Sequence, residues 1–268
     1  MIKKNLISVV IPTFNSEKFI IQTLESVTNQ TMLPGQLIVS DDGSSDNTVK
    51  IVKQFFKDVD NLDTLLIQND HKGAGATRNA GIIQSKYDWI SFLDSDDRWY
   101  PEKIMVMNNT INKNPNVNFI FHNEDRKKLN GEIELLHNFE SFFNSKETLI
   151  KQLWRYCIFH TSAITVKKKL LIEKGLFNES LLSSQDWELW IRLAPSIKYT
   201  HINQTLGIYI DRENNITNTK SFRGLIDRLR VMSIHWRISK VSIWEYFYMA
   251  LRRIIGFIYG AIKNTKKK

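Results

Sequence analysis

Through the first hundred residues, short β-branched apolar runs alternate with stretches in which apolar residues return every three or four positions. Residues 6–11, LISVVI, form such a run, which reads as a strand buried on both faces. Residues 16–30 follow with Phe19, Ile20, Leu24 and Val27 on one face of a helix. The alternation then repeats: a strand at 36–40, a helix carrying Val49, Val52 and Phe56, a strand at 65–68, a helix at 74–85 and a strand at 89–93. Between the second strand and its helix, residues 43–45 supply a turn, and Ser45 or Asp46 a cap. This order predicts an α/β, Rossmann-like fold: a mostly parallel sheet with helices on both faces. Ligands of such sheets bind outside the carboxyl ends of the strands. The segments PTFN, SDDGSSD and DSDD all fall there.

The second half is less regular. Strands are expected at 116–122 and 162–166, a polar hairpin around Asn130 and Gly131, a short helix at 186–193, and two short edge strands at 198–202 and 206–210. From residue 220 onward apolar residues show helical spacing twice, first through Phe222, Leu225, Leu229, Met232 and Trp236. The second stripe runs from Trp244 to Ile262, with Arg252, Arg253 and Lys263 across from it. The chain therefore divides into a domain at 1–218 and a basic helical tail at 219–268.

Charge sharpens that division. Of the net +9, residues 220–268 hold 12 Lys or Arg against Asp227 and Glu245, leaving 25 basic and 26 acidic residues before them. A helix with aromatic and aliphatic residues on one face and basic residues on another fits the surface of an anionic membrane. The same stripe also suits packing on the domain or on a second subunit. No nucleic-acid-binding module is recognisable. The single cysteine, Cys157, excludes an internal disulfide and a multi-cysteine zinc cluster, and is expected to be a small buried apolar residue in a reducing compartment. The basic start is too short for a signal peptide, and no uncharged apolar run reaches eighteen residues, so no transmembrane helix is expected.

The segment WISFLDSDDRWYPEKI raises a chemical question, because an apolar strand ends in Asp94, Asp96 and Asp97. Two carboxylates about 4 Å apart repel by roughly 4 kcal/mol near a protein surface. Hard oxygen ligands after a strand, with no nearby His or Cys, suit Mg²⁺ or Mn²⁺ shared with a phosphate. A solvated turn, or Asp97 as a helix cap, is the plainer reading. The histidines at 71, 122, 137, 160, 201 and 235 show no metal-ligand spacing and read as core or surface residues; His122 ends one expected strand and His160 precedes another, where an acceptor contact is the alternative.

Five segments together change the balance: VVIPTFNSEKFIIQTLESVTNQ, LIVSDDGSSDNT, KGAGATRNAGI, WISFLDSDD and SSQDWELWIRL. In this order, over residues 6–195, they resemble the inverting family 2 glycosyltransferases of GT-A fold. The resemblance implies that Thr13 and Asp42, or Asp41 in its place, line a nucleoside pocket suited to uracil, and that Arg78 approaches base or phosphate. It implies Asp96 as principal metal ligand with Asp94 as a second ligand or ribose contact, Ser95 on the same substrate loop, and Asp97 as a cap or a support from behind. Asp186 would be the catalytic carboxylate, with Trp187, Leu189, Trp190 and Leu193 packing its helix on the sheet. It further implies a nucleotide-sugar donor, an Mn²⁺ or Mg²⁺ cofactor, and a glycan or lipid-linked acceptor at the cytoplasmic face of a membrane. One segment departs from the pattern. Where family members carry Tyr-Arg-x-His-x-x-Asn, this chain reads YIDRENN, keeping Tyr209 and Asn215 but placing Arg212 at the histidine position. Arg212 would hold a diphosphate but not a metal.

Competing readings are weaker. Gly73, Gly75 and Gly81 do not match a dinucleotide loop and follow the third strand, not the first. A nucleotidyltransferase would show a glycine-rich basic loop where PTFNSEKF stands. A non-catalytic nucleotide-sugar binding subunit would have no use for Asp186.

Overall fold

The computed structural model describes residues 7–136, 139–212 and 222–265. Its parallel half is built as the alternation predicts. Strands β1 (Ile7–Thr13), β2 (Gln36–Asp41) and β3 (Asp63–Gln68) are interleaved with helices α1 (Ile20–Thr28) and α2 (Thr48–Lys57). Helix α3 (Ala74–Gln84) leads into β4 (Trp89–Phe92). The order β3-β2-β1-β4 is parallel throughout, with Val10 opposite Ile38 and Phe92.

Alternation along these strands explains why they read as unbroken apolar runs. Val10, Ile38, Ile90 and Phe92 enter one core layer, with Ile82 of α3. Ile7, Val9, Ile11, Leu37 and Val39 enter the other, with Ile20 and Leu24 of α1 and Val52 of α2. Both faces are covered, so neither set of side chains needs to be polar. The close fit of α3 on β1 depends on Gly81. A Cβ there would lie 2.5 Å from Val10 Cγ1.

The second half adds β5 (Arg98–Trp99), α4 (Lys103–Lys113), β6 (Phe119–Lys127), β7 (Ile133–Leu135), α5 (Glu140–Phe143) and α6 (Leu149–Arg155). It continues with β8 (Thr165–Lys167), α7 (Lys168–Glu173), α8 (Gln185–Leu193) and β9 (Tyr199–Ile210). The sheet runs on as β4-β8-β6-β9-β5, with β7 on β6. Of these pairs β6/β9 is parallel and the others antiparallel, so the extension is mixed. Residues 198–202 and 206–210 are not two strands but parts of β9. Register shifts on either side of Asn123 absorb the extra residues between them, so pairing with β6 continues. The strand expected at 162–166 opens instead as a 3₁₀ turn, Thr161–Ala163. The hairpin at Asn130 and Gly131 is present, Gly131 taking φ +87°.

Helices α9 (Phe222–His235) and α10 (Ile243–Thr265) close the described chain. They are not detached from the domain: Val231, Met232 and Met249 join the core layer that contains Trp187 and Trp190 of α8. Trp154 Nε1 donates to Met232 O at 3.0 Å, and His235 Nε2 lies 2.8 Å from Glu188 Oε1. The 218/219 boundary, His137 and Asn215 lie outside the described residues, as do the side chains of Ile262 and Lys263.

Candidate functional site

The loops after β1, β2, β3 and β4 meet at one end of the sheet. Thr13, buried at the end of β1, donates from Oγ1 to Asp41 Oδ1 at 3.0 Å. Asp41 also accepts from the Ser44 amide at 2.8 Å and the Ser44 hydroxyl, so its carboxylate folds the DDGSS turn. Asp42 reaches the other way. It accepts from the amides of Lys72 and Gly73 at 2.9 and 3.0 Å and lies 3.0 Å from His71 Nδ1, tying the β2 loop to the entry of α3. A carboxylate has about four lone-pair sites; Asp41 meets three protein donors and Asp42 two amides, so each has room for another.

Arg78 lies one turn into α3, buried, with Nη2 2.6 Å from Asp94 Oδ1. Its Nε is buried without a hydrogen-bond partner among the described residues. Burial opposes ionisation of Asp94, but the Arg78 and His160 charges hold its carboxyl below the usual range. Ser95 is held by Ser16, the two hydroxyl oxygens 2.8 Å apart, and its carbonyl accepts from Thr23 Oγ1 at 2.9 Å. Asp96 pairs with Arg212, whose guanidinium also lies over the Phe19 ring at 4.6 Å.

Asp97 does more than cap a turn. At 1% exposed it accepts from Ser162 Oγ at 2.7 Å and from the Ile210 amide at 3.2 Å, joining the β4 tip to the turn before β8 and to the end of β9. His160 stands beside it, Nε2 3.7 Å from Asp97 Oδ2 and Nδ1 2.8 Å from Glu124 Oε2 of β6. Burial raises Asp97 above the usual carboxylate range. Burial alone would lower His160, but Glu124, Asp97 and Asp94 carry it well above an ordinary imidazole. Ligand atoms of Asp94, Asp97 and His160 lie within 4.8 Å of one another. The expectation that no histidine has metal-ligand placement is therefore corrected. Spacing along the chain misses it because the groups come from two distant segments. Glu124 and Asp97 were likewise not legible as partners of a histidine. His122 is a core residue, 1% exposed and hydrogen bonded to the Asn123 carbonyl at 2.8 Å, and so not an acceptor contact.

Asp186 sits in the first turn of α8, half-buried, entered through Ser184 at φ 60°. Trp187, Leu189, Trp190 and Leu193 are buried and hold α8 on the core, as expected. Asp186 Oδ1 accepts the Trp187 amide at 2.7 Å, and Oδ2 faces Cys157 Sγ at 3.9 Å. Cys157 is exposed rather than buried, a second correction: it lies on the outer side of the segment after α6, whose Phe159 enters the core.

That segment links the two acidic regions. Cys157 meets Asp186, and three residues on His160 meets Asp97. Three residues of fully extended chain span at most roughly 11 Å. A second link runs through α3, where a Cβ on Gly75 would lie 3.5 Å from Gln185 Cγ, next to Asp186, while Arg78 one turn on holds Asp94. Asp186 and the β4 tip therefore flank a common region.

Residues 8–173, more than half of the chain, match the family described as Glycosyl transferase family 2. The GalNAc(5)-diNAcBac-PP-undecaprenol beta-1,3-glucosyltransferase of Campylobacter jejuni is 28% identical, across 97% of this chain and 84% of its own. S. aureus TarS 1-349, solved in complex with UDP-GlcNAc, has a TM-score of 0.70 at 20% identity, covering 93% of this chain and 71% of that one. A mannosyltransferase from Pyrobaculum calidifontis, solved with GDP-Man and Mn²⁺, has a TM-score of 0.67 at 15% identity, covering 95% and 71%. The sheet order and loops described above are thus those of a GT-A fold, and the chain belongs to glycosyl transferase family 2 and is a glycosyltransferase.

Proposed function

We propose that the protein transfers a sugar from a nucleoside diphosphate donor, a uridine one, to a hydroxyl of a lipid-linked glycan, inverting the anomeric centre. The observation that carries this reading is that Asp186 and the β4 acidic tip flank the same segment, 157–160. One carboxylate on the acceptor side and an acidic cluster on the donor side are what an in-line displacement requires.

On the donor side, Thr13 and the Asp41–Asp42 pair line the nucleoside pocket. Either carboxylate retains an acceptor position for a base N–H. Arg78 and Arg212 supply positive charge for the diphosphate.

The fold family implies a divalent ion, and the donor set fits one. Asp94 and Asp96 are the residues that would hold it, since a hard ion that keeps its own waters needs carboxylates open to solvent. Their side chains are 26% and 11% exposed. Asp97 is nearly closed off, its oxygens used by Ser162 and Ile210, and it supports the tip from behind. When bound, Mn²⁺ or Mg²⁺ offsets the charge of the departing diphosphate.

On the acceptor side, Asp186 takes the proton of the attacking hydroxyl. The new carbon–oxygen bond forms as the bond to phosphate breaks, and that electron pair leaves with the nucleoside diphosphate. The relative whose name gives a PP-undecaprenol-linked glycan supports a lipid-linked acceptor, and a cytoplasmic membrane face is part of the proposal.

The test is transfer from UDP-sugars to an undecaprenyl-diphosphate glycan by wild type, Asp186→Asn and Asp96→Ala. Asp186→Asn is expected to keep donor binding while transfer falls by about 10²- to 10⁴-fold. Asp96→Ala is expected to lose metal-dependent nucleotide binding in calorimetry. Full transfer by Asp186→Asn would remove the base assignment, and tighter binding of GDP than UDP would remove the uridine one.

A further inference from the structure

The chain ends on a surface that the transfer reaction does not explain. The inner face of α10 is set on the protein by Met249, which is buried, and by Arg253, whose guanidinium lies 4.4 Å over the Trp187 ring. Its outer face carries Trp244, Phe247, Tyr248, Leu251, Ile255 and Tyr259, all more than half exposed, Trp244 at 80%. At 100° per residue these six span an arc of roughly 120°. An apolar stripe of that width ordinarily faces a core. Here it faces away from one.

Helix α9 has a different outer face. Phe222, Ile226 and Ile234 are exposed on it beside Arg223 and Arg230, which lie seven residues apart on one side of the helix. Arg237 is exposed in the turn that follows. The two acids of these helices are turned inward. Asp227 is buried and accepts from the Leu182 and Ser183 amides at 3.1 and 3.0 Å, and Glu245 pairs with Arg155. The outer surface therefore presents apolar side chains and positive charge without exposed carboxylates, among the described side chains. Neither helix is long and apolar enough to cross a membrane.

We propose that the outer face of α9 and α10 docks on an anionic lipid bilayer, and that docking turns the acceptor side of the cleft toward the lipid surface. The occupant follows from charge. A second copy of the chain would set the same arginines against themselves, whereas anionic headgroups complement them while the acyl region receives the aromatic stripe. The link to the cleft is direct. Asp227 pins the loop that enters α8, His235 holds Glu188 within α8, and Arg253 covers Trp187, the neighbour of Asp186. Arg252 Nη1 donates to Tyr156 Oη at 3.2 Å, beside Cys157. The orienting half of this inference rests on the proposed lipid-linked acceptor; the docking half does not.

The test is co-sedimentation of the full chain with vesicles of phosphatidylcholine containing phosphatidylglycerol, against phosphatidylcholine alone. Wild type is expected to favour the anionic vesicles. A Trp244→Ser, Leu251→Ser, Ile255→Ser variant, changed only at exposed positions, is expected to bind at least about tenfold more weakly. An Arg223→Gln, Arg230→Gln, Arg237→Gln variant is expected to lose anionic binding on the order of a hundredfold, at about fivefold per arginine. Circular dichroism and transfer to a soluble acceptor serve as controls for folding. Wild type that ignores anionic vesicles, or serine variants that bind them as well as wild type, would overturn docking. So would a dimer, seen by light scattering, that the serine changes dissociate. Vesicle binding by a chain that transfers no sugar would sink the proposed function and leave docking standing. Transfer by a chain that ignores vesicles would do the reverse.

Discussion

Lys103 offers a quantitative check on the structure. It is fully buried in α4, with Nζ donating to Thr165 Oγ1 at 3.2 Å and lying 5.2 Å from the Trp99 ring. Burial pushes the ammonium down from 10.5 to about 7, against the opposing pull of Glu124. In the unfolded chain the lysine remains protonated up to its ordinary value, so between about 7 and 10.5 the unfolded state binds more protons and stability rises with pH. The destabilisation is greatest below pH 7 and fades toward 10.5. At about 1.4 kcal/mol per pKa unit, burial costs about 5 kcal/mol at pH ~6 and about 2 kcal/mol at pH ~9. Lys103→Met removes the titration. Whatever the variant gains or loses in packing is common to both conditions, so the difference between variant and wild type isolates the lysine. Urea unfolding at the two pH values is expected to show the stability advantage of methionine shrinking by about 3 kcal/mol from pH ~6 to ~9. An advantage that stays constant within about 0.5 kcal/mol, or grows with pH, would refute the burial of a titrating lysine.

Other consequences follow from single contacts. Gly81→Ala places a methyl 2.5 Å from Val10 Cγ1 and is expected to cost about 1 to 3 kcal/mol in urea unfolding. Adding Val10→Ala should recover part of that cost, and additive losses would show that the two do not touch. Arg212→Gln removes the partner of Asp96, so Mn²⁺ binding without nucleotide, followed by electron paramagnetic resonance, is expected to tighten at least about threefold. With UDP present the same change should weaken binding, because the diphosphate loses a cation; weakening in both conditions would contradict the pairing.

The parallel half was legible because its signals are local. Unbroken apolar runs, a turn at Gly43 and a helix face at Ile20 and Leu24 are each contained within a few residues, and the loops they set up carry Thr13, Asp42 and Asp94. The helix that carries Asp186 was legible for the same reason, being marked by Trp187, Trp190 and Leu193. What escaped depends on chain separation. His160 is charged by Glu124, 36 residues away, and by a carboxylate at the β4 tip. Lys103 reads as a solvated helix residue until β8 brings Thr165 against it. The union of residues 198–202 and 206–210 into β9 requires a bulge that only pairing with β6 reveals. Cys157 reads as apolar by type, yet its exposure is decided by its place on the outer side of the segment after α6.

The repulsion expected within DSDD is resolved by three cations drawn from separate elements. Asp94 has Arg78, Asp96 has Arg212 and Asp97 has His160, itself held by Glu124. These pairs differ in kind. The one at Asp97 is buried and fixed by Ser162 and Ile210, so it serves the fold whether or not substrate is present. Those at Asp94 and Asp96 face the open side, and their arginines are positioned to exchange a carboxylate for a phosphate. Under the proposed function, binding of a donor with an ion would be a trade of charges within one region, with little net burial of unpaired charge. On that proposal, Arg212 at the histidine position of the family pattern changes how Asp96 is neutralised, while the carboxylates proposed to hold an ion remain in place.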